Sequence, residues 1–242
     1  MTDAVFELDG EHFLPQPVSR AGWYREVLHG GPVAALFARG FESMPAPMPT
    51  MVSRLTVDLM RPVPTDPLRV ETRVVREGRR IQVLEASMTT GGTEVARASA
   101  LKMRLAAIDV PDHPQRSPLP DPEGLNEYDK WESEEGEVWF HTHAIEARFV
   151  EGDFYRPGPA SVWMRLRIPL VAGEHPSLLQ RVAAVSDFGN GVSRVLARGW
   201  LFINADLSVY LHRYPRDEWV ALRSRTDIDG GVGLAQSELF DR

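Results

Sequence analysis

A figure that occurs twice constrains this chain more than any other feature. His29-Gly30-Gly31-Pro32 opens an apolar run from Val33 to Ala38, which Arg39-Gly40-Phe41 closes. Two glycines and a proline suit a helix start whose backbone lies close to something else. The run has no strong polar face, so a buried helix is expected, ending near Gly40. Asp187-Phe188-Gly189-Asn190-Gly191 opens the second copy, and Ala197-Arg198-Gly199-Trp200 lies over Ala38-Arg39-Gly40-Phe41 at an offset of 159. Further on, Leu55-Thr56-Val57 falls on Leu207-Ser208-Val209, and Arg61 on Arg213, at an offset of 152. One residue fewer in the next turn brings Asp66 onto Asp217 and Ile81 onto Val232. A shared order of helix, strand, kink, strand, glycine turn and strand is the mark of a duplicated unit.

The segments between these landmarks read mainly as strands. Val5–Leu8 and His12–Pro15 flank Asp9-Gly10 as a hairpin. Residues 19–24 read as a loop and 43–49, with three prolines, as a connector. Residues 53–59, 68–77, 80–89 and 93–105 alternate as strands; Arg61-Pro62-Val63-Pro64 kinks the first of them. Proline-rich residues 111–122 and the acidic run 132–137 divide the chain, the latter as a solvated surface. Residues 138–150 and 161–170 are expected as strands and 176–185 as helix-compatible, followed by strands at 201–211, 219–226 and 232–239. One helix followed by several antiparallel strands is an α+β unit. The division is therefore 1–108, a linker at 109–137, and 138–242. On the 151 register Arg242 falls on Gly91, so a strand matching 93–105 is absent from the second half or lies beyond Arg242.

Composition narrows the chemistry. A 242-residue chain with 43% apolar and 25% charged residues buries a sizeable core as an ordinary globular protein. Its formal charge of −7 argues against a nucleic-acid binder. Zero cysteines remove disulfides, thiolate metal sites and cysteine nucleophiles. No apolar run reaches the ~18 residues of a membrane span, and no signal pattern opens the chain, so a cytoplasmic protein is expected. Neither a Gly-x-Ser-x-Gly elbow nor a Walker-type loop occurs. His141 and His143 share a strand face on this reading, but no carboxylate follows at ligand spacing, and no metal or cofactor is expected.

Leu28-His29-Gly30-Gly31-Pro32, Ser186-Asp187-Phe188-Gly189-Asn190-Gly191 and the tail Leu234-Ala235-Gln236-Ser237-Glu238-Leu239-Phe240-Asp241 together resemble the acyl-CoA thioesterase-like family, the relatives of acyl-CoA thioesterase II. The resemblance implies a tandem double-hotdog, two antiparallel sheets each wrapping a central helix. It also implies hydrolysis of a fatty or modified acyl-CoA in lipid metabolism, with acyl-CoA as the ligand. By that resemblance Asp187 matches the water-activating aspartate, and Asn204 stands where the family has Thr or Ser. The family's glutamine finds no match, and Gln236, one strand earlier, is not given that role. A helix-capping role is open to Asp187 as well. Gly31, with Gly30, can offer backbone N–H groups at a helix N-terminus to the thioester oxygen, or simply allow close packing. His29, Gly30, Gly189 and Asn190 are the substrate-side candidates; His29 and Asn190 have structural readings too. CoA would meet Arg54, Arg61, Arg79 or Arg80. A non-catalytic acyl-ligand binding protein of the same fold is the alternative. Exposed sheet edges lead us to expect a homodimer or higher homo-oligomer.

Overall fold

A computed structural model of the protein describes residues 3–112, 114, 117–132, 136–196 and 200–242. The first half opens with the expected hairpin: β1 (Phe6–Asp9) and β2 (His12–Pro15) turn at Gly10, whose φ of 59° suits glycine. Where a loop was expected, Arg20–Ala21 (β3) and Tyr24–Leu28 (β4) pair as a short ribbon. Helix α1 (Gly30–Ser43) follows, then β5 (Thr50–Asp58), β6 (Leu68–Glu77), β7 (Ile81–Thr90) and β8 (Thr93–Arg104). Gly40 does not end α1. Its bare α-carbon instead lets Thr72 of β6 approach, where a Cβ would stand 2.8 Å from the hydroxyl. Nearly the whole of α1 is buried, from Gly31 to Ala38 and at Phe41. Burying each large side chain such as Leu36 or Phe37 contributes about 1.5–3 kcal/mol.

In the second half β9 (Ile145–Glu151) and β10 (Ala160–Leu166) form a hairpin, followed by α2 (Leu178–Ser186) and the single turn α3 (Gly189–Val192). β11 (Asp206–Tyr210), β12 (Val220–Asp229) and β13 (Val232–Phe240) complete it. Two expectations fail here. Residues 140–144 form a π-helical turn rather than the start of a strand, so His141 and His143 do not share a strand face. His141 is buried and His143 exposed. The helix that packs on α1 is α2, ahead of the Asp187 motif, and the helix opened by that motif is only one turn long. The Ala197-Arg198-Gly199 part of the 159-residue match lies outside the described residues.

The strands form a seven-stranded sheet in the order β1-β2-β6-β7-β8-β5-β11 and a four-stranded sheet in the order β13-β12-β10-β9. All ladder pairings are antiparallel. β5 and β11 join the halves with Thr56 directly opposite Ser208, their hydroxyls 3.2 Å apart, and Val57 opposite Leu207. Thr56 and Ser208, aligned by the 152-residue offset, thus lie directly across from one another, with the register running in opposite directions on either side. In the first half β8 lies between β7 and β5; among the described residues no strand lies between β13 and β11.

α1 packs on β5, β6 and β7, and α2 on β10, β11 and β12; the two helices lie against each other head to tail. At one end Ser177, which caps α2 by accepting from the Gln180 amide, donates to Glu42 of α1 at 2.6 Å. At the other, Gly31 of α1 meets Ala184 of α2 so closely that a Cβ would stand 2.2 Å from the Ala184 carbonyl oxygen. One continuous core runs through both halves and includes Phe37, Leu55, Met88, Phe140, Val162 and Leu222. Among the described residues no helix is long and apolar enough to cross a membrane.

Candidate active site

The head-to-tail packing of α1 and α2 sets the N-terminus of one against the C-terminus of the other. Asp187 caps the end of α2 through its own amide, which donates to the Val185 carbonyl. The side chain does not cap α3, where the preceding residue Phe188 makes no capping bond. Freed from that duty, the carboxylate turns toward the start of α1 and is only 8% exposed. Glycine at position 30 makes room for it: a Cβ there would stand 2.7 Å from both carboxylate oxygens. The field of the α1 N-terminus favours the negative charge at this place.

Asn204, on the irregular stretch before β11, donates its amide nitrogen to Asp187 Oδ1 at 2.7 Å. The same nitrogen lies 3.2 Å from the Asp187 carbonyl and 3.3 Å from Asn190 Oδ1. Asn190 in turn donates to the Phe202 carbonyl at 2.7 Å. On the other side, His29 Nδ1 stands 3.0 Å from Asp187 Oδ2 and accepts from the Gly31 amide at 3.1 Å. Pro32 has no N–H, so the Gly31 amide is the donor that a side chain at position 29 caps in the first turn.

Asp187, Asn204, Asn190, His29, Gly30 and Gly31, chosen from sequence, thus converge on one place. Gly189 faces elsewhere: a Cβ there would stand 2.9 Å from Ser237 Oγ of β13, and its carbonyl accepts from the Ser193 hydroxyl. Among the arginines considered for CoA, Arg61, Arg79 and Arg80 are exposed, and Arg54 has a buried Nε without a hydrogen-bond partner. Gln236 lies exposed on β13 and accepts from Arg225 at 2.8 Å.

The sequence reading missed the aromatic walls. The His29 ring stacks on Phe188 at 4.7 Å and leans on Phe140 at 5.2 Å. Phe188 was visible beside Asp187; Phe140 reaches the site only through the π-helical turn, a feature often found at functional sites. Next to Phe140, His141 is buried, and loss of solvent followed by the nearby His29 and His143 lowers its pKa to about 3. A small cleft opens beside Asn190, lined also by Trp23, Arg194, Trp200 and Phe202. Arg194 lies over the Phe154 ring, its Nε buried without a hydrogen-bond partner. These residues come from irregular segments with no periodic signature. Among the described residues no group of three metal-ligating side chains occurs.

A buried carboxylate held by an amide and an imidazole, set against a helix N-terminus, can take a proton from water beside backbone donors. Over the whole chain the structure is similar to a putative thioesterase II from Thermobifida fusca (TM-score 0.73, 16% identity, covering 98% of this chain and 96% of that one). It is similar to a hot dog fold protein of unknown function from Alicyclobacillus acidocaldarius (TM-score 0.68, 19% identity, 98% and 91% coverage). It is also similar to an acyl-CoA thioesterase II, TesB2, from Mycobacterium marinum (TM-score 0.65, 16% identity, 98% and 87% coverage). These likenesses establish the hotdog fold. A curated relative, an adenine phosphoribosyltransferase from Novosphingobium aromaticivorans, is 30% identical over 95 residues. That match covers 36% of this chain, and the chain spans about half the length of that relative. Residues 19–103 match the acyl-CoA thioesterase N-terminal domain and residues 110–242 the acyl-CoA thioesterase C-terminal domain. With both domains matched in order along most of its length, the chain belongs to the acyl-CoA thioesterase family.

Proposed function

We propose that this protein hydrolyses the thioester of a fatty or modified acyl-CoA, with water activated by Asp187. The observation that carries the reading is the Asp187 carboxylate, buried at the end of α2 and turned to the start of α1. Asp187 takes a proton from the attacking water, and Asn204 holds the carboxylate in place. The Gly31 N–H, and that of Gly30, polarise the thioester carbonyl as negative charge develops on its oxygen. His29 and Asn190 border the substrate, and Gly189 sets α3 against β13. The cleft with Trp23, Trp200 and Arg194 is the way in, where a guanidinium and aromatic faces suit the anionic, adenine-bearing CoA.

We read the two halves as a tandem double-hotdog, divided at 1–108 and 138–242. The mirrored register of β5 and β11 supports this. Two copies associate through the sheet edges at β11 and β13, giving a homodimer or larger.

Thiol release from a panel of acyl-CoAs of different chain length tests the function. Wild type is expected to turn over at least one of them, with Asp187→Ala lowering kcat by about 10²–10⁴-fold. No release from any substrate, or full activity in Asp187→Ala, would contradict it. One observation favours a second reading, a non-catalytic acyl-ligand protein: the Asn204 amide nitrogen is taken up by the Asp187 carboxylate. Thermal stabilisation by acyl-CoA without turnover would support that reading.

A further inference from the structure

His29 holds a contradiction that has a chemical resolution. Its Nδ1 is 3.1 Å from the Gly31 amide nitrogen and 3.0 Å from Asp187 Oδ2. The Gly31 N–H requires a lone pair on Nδ1, whereas an ionised Asp187 requires a proton there. A single ring nitrogen cannot satisfy both. The ring is held where the conflict arises, 12% exposed at its side chain, stacked on Phe188 and tilted against Phe140. Asp187 is tethered too, because Asn204 holds its other oxygen at 2.7 Å. The neighbouring titratable groups are Asp187 itself and His141, whose depressed pKa keeps it neutral at neutral pH.

We propose that His29 is a positioning residue that gates the Gly31 amide through its tautomer, a refinement that rests on the thioesterase reading. With the proton on Nε2, Nδ1 accepts from Gly31 and the donor meant for the thioester oxygen is occupied. With the proton on Nδ1, His29 donates to Asp187, and the Gly31 N–H is released toward the substrate carbonyl. In a ring that carries one proton, that proton leaves Nε2 and arrives at Nδ1 by exchange with water, with no change in net charge. A carbonyl oxygen arriving at Gly31 supplies the acceptor that Nδ1 gives up, so substrate favours the second state. The same motion fixes the Asp187 carboxylate by a second hydrogen bond as it is needed for the water. Donor and base are thereby set together.

Two measurements test this. The first is nitrogen NMR of the protein labelled with ¹⁵N-histidine, with and without a ketone analogue of an acyl-CoA carrying CH₂ in place of the thioester sulfur. The His29 resonances are expected to move from the Nε2–H toward the Nδ1–H tautomer when the analogue binds. An unchanged tautomer at saturation would overturn the proposal. The second is His29→Asn, whose side-chain oxygen caps Gly31 permanently. It is expected to fold, with a Tm lowered by loss of the ring contacts, and to lose about 100-fold in kcat, the scale of one oxyanion donor, a larger effect than on KM. Wild-type kcat in His29→Asn would overturn the proposal while leaving Asp187 chemistry intact. Absence of turnover in the wild type strikes the thioesterase reading instead, and the NMR measurement, which needs binding alone, still decides the tautomer.

Discussion

Adjacent glycines at 30 and 31 serve two different neighbours, and single substitutions separate them. A methyl at 31 would stand 2.2 Å from the Ala184 carbonyl oxygen, which belongs to backbone and cannot give way. Gly31→Ala is expected to part the helices and destabilise the fold by about 3 kcal/mol or more, read by urea unfolding. A methyl at 30 meets the Asp187 carboxylate, a side chain that can rotate. Gly30→Ala is expected to cost less stability than Gly31→Ala and to remove most activity, because the carboxylate is displaced. His141 sets a pH dependence. Between its folded pKa of about 3 and the ordinary ~6.5, the unfolded chain carries a proton that the folded chain lacks. Its share of stability is full above about pH 6.5 and falls as pH drops, by about 1.4 kcal/mol per unit. Urea unfolding from pH 7 to 4 checks this: His141→Gln should show a shallower decline than wild type. At this scale the sequence was readable for identity and blind to distance. His29-Gly30-Gly31 announced a permissive helix start, but only the fold shows that one glycine faces a carbonyl and the other a carboxylate.

The elements that escaped the sequence are those without a period. Residues 138–150 alternate as a strand should, yet the chain inserts a π-helical turn at 140–144 before β9 begins. The Asp187 motif looked like the opening of a second copy of the first helix, but glycines at 189 and 191 cost roughly 1 kcal/mol each in helix, and α3 stops after one turn. The linker was legible as irregular, though not as a packed layer. Trp163 donates its indole N–H to the Pro120 carbonyl at 2.8 Å, and Arg148 donates to the Pro122 carbonyl at 2.8 Å. Glu146, 4% exposed, anchors this face between Arg148 and Arg165, both of which lie over Trp219. Burial pushes the Glu146 pKa up, but the hydrogen bonds and charges of the two arginines outweigh it and leave it below the usual carboxylate range. Glu146→Ala leaves two guanidinium groups without their shared partner. It is expected to cost about 3 kcal/mol in urea unfolding and to leave kcat unchanged, since the network lies apart from Asp187.

Taken as a whole, the molecule is a hotdog-fold chain whose two halves meet about Thr56 and Ser208. The strands that meet there could be read from sequence because strands keep a period of two and short turns preserve register. The place of α2 could not, because it precedes the Asp187 motif from which a helix was expected. Among the described residues β13 pairs with β12 alone, and its Val232 and Leu234 are 76% and 58% exposed. If two copies join there, Val232→Lys with Leu234→Lys should shift the protein from dimer to monomer in sedimentation velocity; a wild-type monomer would contradict the edge pairing. The central claim is that Asp187 activates water rather than attacking the thioester itself. A single-turnover reaction in H₂¹⁸O, with enzyme in excess over acyl-CoA, tests this most directly. The account expects one ¹⁸O atom in the carboxylic acid released by that first turnover. An unlabelled acid, with the heavy oxygen left in Asp187, would contradict it.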